Sequence, residues 1–232
     1  MRKCENLDCK LLIFSLKYVL LPSMIVERVG KIKKPKSVVP GDIPPKLVPS
    51  IIAKLSVPLA DIYNSALLTD WPRLWKREYQ TIIPKKPSPT SLHECRNLSC
   101  TNLFSKVLES FVLEDLIDEV KVSETQYGGL RGCGTNHFLL QMWQNILEGL
   151  EDDNTAIALM SIDFSKAFNR MGHQACLAAL AKGGCSNQSL RLIYNFLDGR
   201  EMCIKDGQDL SNTREVRGGS PREQNWAIFY SA

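Results

Sequence analysis

The 232-residue sequence is short of the residues that build metal centres and disulfide scaffolds. Its three histidines are scattered singly, and none of its eight cysteines forms a C-x-x-C pair. That spacing argues against a zinc site and against a dense disulfide framework. The cysteines read instead as free, mostly buried thiols in a reducing compartment, so the expected location is intracellular (cytoplasm or nucleus), not secreted. Long apolar runs are missing too. Leu11 to Val26 is interrupted by Lys17 and Pro22 and is too short to span a bilayer. No small-residue cleavage site follows it, as a signal peptide requires. No later stretch reads as a membrane span, so no membrane partner is expected. No internal repeat is visible. Charge of one sign is also in short supply, with 29 Lys and Arg against 25 Asp and Glu. A net charge of +4 fits a nucleic-acid partner without demanding one.

What charge there is clusters. Arg28, Lys31, Lys33, Lys34 and Lys36 form one basic group, and Arg73, Lys76, Arg77, Lys85 and Lys86 a second. Each reads equally as a nucleic-acid contact or as a solvated face. Residues 1–40 read as a separate, poorly ordered leader with an apolar patch and a basic run. Apolar spacing predicts two short helices, Lys46–Leu55 and Pro58–Leu68, with prolines at their starts. Tyr79–Ile83 reads as a strand, and Lys85–Leu92 as a proline- and serine-rich loop. Asn102–Val120 is the strongest helical pattern. Its apolar stripe runs from Leu103 to Val120, and Glu109, Glu114, Asp115, Asp118 and Glu119 supply the charged positions. A glycine-rich turn, Gly128–Gly134, precedes an amphipathic helix from about Asn136 to Leu150. Helices are also expected near Gln174–Lys182 and Gln188–Asp198, and a hairpin from Glu201–Lys205 and Thr213–Arg217 around Asp206-Gly207-Gln208. Mixed elements without strict alternation indicate an α+β fold.

The segment with the most chemistry is Ser161 to Phe168. Ala156–Ile162 is a near-continuous apolar run of strand length, the pattern of a strand buried on both faces. Asp163 would then sit at its exit. A carboxylate there is costly to desolvate unless it meets a cation or a metal. The alternative is an aspartate capping the next turn through its own backbone.

The string "DFSKAFNRMGH", starting at Asp163, resembles the first catalytic motif of reverse transcriptases of non-LTR retrotransposons. Other segments resemble that family in its own order. They are "PGDIPPK" from Pro40, "WKREYQTIIPKK" from Trp75, "CRNLSCTNLFSKVLE" from Cys95, "QYGGLRGCGTNH" from Gln126 and "RGGSP" from Arg217. The resemblance implies a partial right-hand polymerase fold, fingers and incomplete palm, with helices packed on a small antiparallel sheet. Residues 41–155 would be fingers-like and 156–221 a partial palm. It further implies RNA-directed DNA synthesis with two Mg2+ ions, an RNA template, a DNA primer and deoxynucleoside triphosphates. Asp163 matches the family's metal-binding aspartate, and the carbonyl of Phe164 would be a second ligand. Phe168 matches the bulky residue that excludes a 2′-hydroxyl, or else packs in the core. Lys85 and Arg96 would face template or triphosphate, or else are ordinary surface charges. Gly128, Gly132 and Gly134 suit a turn that lets backbone approach nucleic acid. His137 and His173 read as structural.

The sequence departs from the family in two places. Asn169 stands where a second acid is usual. No Asp-Asp pair follows Asp163, although the family's second catalytic motif, an aromatic-x-Asp-Asp hairpin, supplies the other metal ligands. One carboxylate cannot hold two magnesium ions in working geometry. Residues 222–232, "REQNWAIFYSA", read as an out-of-frame tail. With one base restored near Pro221 and synonymous codons chosen, they re-read as QGTKLGNFLFC, and the fixed Trp226 codon yields the Leu-Gly junction the family has. The expectation is a truncated reverse transcriptase domain, inactive alone. The alternatives are a non-catalytic nucleic-acid-binding module and a fragment completed by another chain.

Overall fold

The computed structural model describes residues 19–32, 39–130, 132–151, 155–163 and 171–219. Residues 222–232, read above as an out-of-frame tail, lie outside them, as do Phe164 and Phe168. The described residues form six helices and five strands in an α+β arrangement. The helices are α1 (Pro22–Lys31), α2 (Val48–Leu68), α3 (Leu103–Glu119), α4 (Thr135–Leu150), α5 (His173–Lys182) and α6 (Asn187–Leu197). The strands are β1 (Arg77–Pro84), β2 (Cys95–Cys100), β3 (Glu201–Asp206), β4 (Asp209–Leu210) and β5 (Arg214–Glu215).

The sheet runs β2-β1-β3-β4, with β5 also on β3. β1 and β2 pair antiparallel, Tyr79 opposite Cys100 and Ile83 opposite Arg96. β1 and β3 pair in parallel, Arg77 opposite Glu201 and Tyr79 opposite Cys203. The sheet is therefore mixed, where a purely antiparallel one was expected. Among the described residues the chain between β1 and β3 carries four α-helices, and such a crossover brings a strand back in the same direction. The hairpin expected after Glu201 forms, its return strand split between β4 and β5. β2 was not anticipated, because "CRNLSC" has little of the β-branched or aromatic content that marks strands.

α3 is the hub. Eleven of its residues are buried, among them Val107, Leu108, Phe111 and Leu116. Around it pack buried residues of α1 (Ile25, Val29), α2 (Leu59, Tyr63), α5 (Leu180) and α6 (Ile193, Phe196). Glu109 was expected on the solvent side but is buried, and accepts a hydrogen bond from Ser105 Oγ at 2.9 Å. Tyr63 donates its hydroxyl proton to the Phe104 carbonyl at 2.8 Å, and the Tyr63 and Trp75 rings meet edge to face at 5.5 Å. Burial drives the Tyr63 phenol strongly upward from its usual pKa.

Two further expectations are corrected. The supposed leader contributes α1 to the core. Leu20 and Ile25 are buried, and Arg28 pairs with Glu114 while its guanidinium lies 4.2 Å above the Phe111 ring. The two short helices are one, α2, with Pro58 inside it. Its buried positions Ile52, Ser56, Leu59, Ala60 and Tyr63 form one stripe across the proline, so packing holds the helix through the break. As one helix of 21 residues, α2 is long and apolar enough to cross a membrane, a property that two short helices would not have. That stripe lies in the core, and the core helices of folded proteins can be as long and as apolar.

Arg200, just before β3, is fully buried. It reaches Glu78 of β1 at 3.3 Å and lies 4.6 Å over the Phe196 ring, and its Nε and Nη1 have no hydrogen-bond partner among the described residues. Removing one member of such a pair strands the other charge. Arg200→Met should destabilise by about 3–5 kcal/mol in urea unfolding, and Glu78→Met with Arg200→Met should cost less than Arg200→Met alone.

Candidate functional site

Among the described residues, five of the six motif-like segments contact another of them, and the one from Gln126 does not. In "PGDIPPK", Asp42 accepts hydrogen bonds from Asn102 Nδ2 at 2.8 Å and from the Leu103 backbone N–H at 3.1 Å. Asn102 in turn caps α3, its side-chain oxygen accepting from the N–H groups of Phe104 and Ser105. Sequence reasoning placed Asp42 in a resembling segment but missed this role. The Pro40-Gly41 turn before it was the available signal, since Gly41 has φ +79°. "WKREYQTIIPKK" and "CRNLSC" form the β1–β2 hairpin. The end of "DFSKAFNRMGH" meets the start of "RGGSP". Gly219 N–H donates to the Met171 carbonyl at 2.7 Å, Gly172 bridges to Gly218, and His173 Nε2 lies 3.1 Å from the Gly219 carbonyl. A carbonyl only accepts, so Nε2 carries the proton there. A Cβ at Gly218 would lie 3.2 Å from the Met171 carbonyl oxygen, so a small residue suits this approach.

The residues expected to act on substrate are not gathered in the same way. Asp163 lies in an irregular, exposed stretch. The strand expected over 156–162 is absent, and residues 155–163 are exposed throughout. A strand buried on both faces needs a neighbour on each edge. β1 has both its edges filled by β2 and β3, and no described strand pairs with this run. The apolar sequence is thus present without a sheet to enter. Asp163 does not emerge from a buried strand, and the desolvation argument for a metal partner lapses.

Among the described residues no group of three His, Cys, Asp or Glu could hold a metal ion. One solvated carboxylate does not fit a two-magnesium centre, which needs several hard oxygen ligands on each ion.

Lys85 and Arg96 are both exposed at the far end of the β1–β2 hairpin. Lys85 Nζ donates to the His93 carbonyl at 2.8 Å, while Arg96 has no ion-pair partner among the described residues. The rest of the second basic group is ion-paired, four cations with three carboxylates. Arg73 and Arg77 share Glu201, the largely buried Lys76 holds Asp70, and Lys86 holds Glu94. Arg73 stays largely exposed while paired, so solvated cations remain there as well as at the hairpin tip. In the glycine-rich turn, Gly132 has φ +83°, which favours glycine. Gly134 is extended at φ −163°, a conformation open to any residue, and Gly129 (φ +78°) is the second position that needs glycine. Gly128, Gly132 and Gly134 each face open space, so backbone there can be approached closely.

Arg73, then Arg77, hold the Glu201 carboxyl below its usual value of 4.5. Burial raises the thiols of Cys176 and Cys185 to about 11, so neither is a nucleophile at neutral pH. Among known proteins, the chain matches no family model and no curated protein.

Two outcomes are expected. Asp42→Ala should lower stability by about 1–2 kcal/mol in denaturant unfolding, since it removes acceptors from the α3 N-terminus. Because Glu201's folded pKa is depressed, its stabilisation is complete above pH 4.5 and lost as pH falls through the lower folded value. Glu201→Gln should flatten that part of the acid-unfolding profile.

Proposed function

We propose that the chain is the fingers and partial palm of a reverse transcriptase of the non-LTR retrotransposon type, and that alone it does not copy nucleic acid. The observation that carries this reading is the pairing of resembling segments. Six of them occur in the family's order between Pro40 and Pro221, and those that meet are hydrogen-bonded at Asp42–Leu103, along β1–β2 and at Met171–Gly219. Backbone and capping contacts of this kind hold the two members of each pair together. Against the reading stands Asp163 in solvent. The proposal therefore rests on the motifs and their contacts, and no catalytic step is assigned to this chain alone.

The parent activity would be template-directed phosphoryl transfer, in which Mg2+ supplies charge neutralisation at the attacking and leaving oxygens. Asp163 would supply one carboxylate, and a palm segment bearing an Asp-Asp pair the rest. Template and primer would meet the Arg96 and Lys85 end of the hairpin.

The test is primer extension on an RNA template with Mg2+ and deoxynucleoside triphosphates. The 232-residue chain alone should extend nothing. Addition of a separate palm segment carrying the aromatic-x-Asp-Asp motif should restore extension, and Asp163→Ala should abolish it. Extension that survives Asp163→Ala, or none on complementation, would remove the reading. If it is instead a non-catalytic binder, complementation fails while RNA affinity still falls steeply with salt and drops in Arg96→Ala.

A further inference from the structure

α4 is sixteen residues long and none of them is buried. Its apolar residues fall on one side at 100° per residue. Met142, Ile146 and Gly149 are half-covered, and Ile157 lies against Gly149, where an added Cβ would come within 2.7 Å of it. Beyond that flank a 100° arc carries Leu139, Leu150, Trp143, Leu147 and Leu140, whose exposure rises in that order from 40% to 70%. Leu140, Trp143, Leu147 and Leu150 alternate by three and four, the spacing of a helix seam. The opposite arc is polar and bonded to itself, Gln141 to Asn145 at 3.0 Å and Gln144 to Glu148 at 2.8 Å.

The occupant of this face is constrained by charge. Between Arg131 and Lys166 the sequence has no Lys or Arg. Helices that lie on membranes carry a basic polar face, and nucleic-acid surfaces need cations. α4 offers neither. Its acids, Glu148 and Glu151, lie at its C-terminal end.

We propose that the Leu140–Leu150 face is a self-association surface, on which α4 of a second copy packs antiparallel about a two-fold axis. Leu140 of one copy then lies opposite Leu150 of the other, and Trp143 opposite Leu147. The acidic ends are held apart, each beside the positive N-terminal end of the facing helix. A two-fold contact uses the same patch twice, and an uncharged stripe meets itself without repulsion. Leu140, Trp143, Leu147 and Leu150 are each more than half exposed, and a two-fold contact covers all four on both copies at once. The proposal stands whether or not the polymerase reading does.

The test is light scattering of the full chain after size exclusion, from about 1 to 100 μM. A dimer is expected. Leu140→Glu with Leu147→Glu should halve the mass while the circular dichroism spectrum keeps its helical signal, because neither side chain is buried. Leu74→Glu, at an exposed leucine outside α4, should leave the dimer intact. Leu140→Gln should weaken the dimer at least tenfold and serves if the double variant unfolds. A monomer throughout, a dimer that persists in both α4 variants, open-ended aggregation, or binding of the chain to phosphatidylserine–phosphatidylcholine vesicles that the α4 variants abolish would each overturn the proposal.

Discussion

α3 is buried around most of its circumference, and that requirement organises the rest of the structure. A helix that takes Ser105 and Glu109 out of water along with Val107, Leu108 and Leu116 must be enclosed on several sides. α1, α2 and α6 supply those sides with apolar stripes. The polar groups that go in with it are paired locally, Ser105 with Glu109 and the Phe104 carbonyl with Tyr63. Leaving any of these unpaired would cost as much as a buried methylene group contributes, or more. Asn102 and Asp42 complete the enclosure by satisfying the first N–H groups of the helix.

Much of this was legible in the sequence, because periodicity reports burial. The bounds of α3, α4, α5 and α6 follow their apolar spacing to within a residue or two, and β1 follows its β-forming residues. The failures have physical causes. Pro58 was read as a start because a proline usually breaks a helix, but a continuous buried stripe held the helix through it. α1 was missed because a short segment beside a basic run looks solvent-facing until Arg28 is seen over Phe111. Glu109 was placed outside because a carboxylate prefers water, and only the enclosure of α3 reverses that. The parallel register of β1 and β3 is a long-range property that no local pattern carries.

The site was legible as motif and not as geometry. Contacts made by backbone and capping groups, such as Asp42 with Leu103 or Gly219 with Met171, need only one or two groups on each side and are in place. The run 155–163 depends on neighbours for both of its edges, and its composition alone cannot supply them. Its exposed Met160 and Ile162 show a strand-forming sequence whose intended environment is not provided by the described residues. The cations illustrate a related point. Counting Arg73, Lys76 and Arg77 as a basic patch ignores Glu201 and Asp70, which fold back onto them.

The parallel pairing of β1 with β3 sets an order of events during synthesis. Tyr79 cannot close against Cys203 until the chain as far as β3 has left the ribosome, more than a hundred residues after β1. In that interval a nascent β1–β2 hairpin carries a bare edge, of the kind that invites wrong pairings and slow, non-local closure. The helical hub can assemble first and hold the hairpin in place.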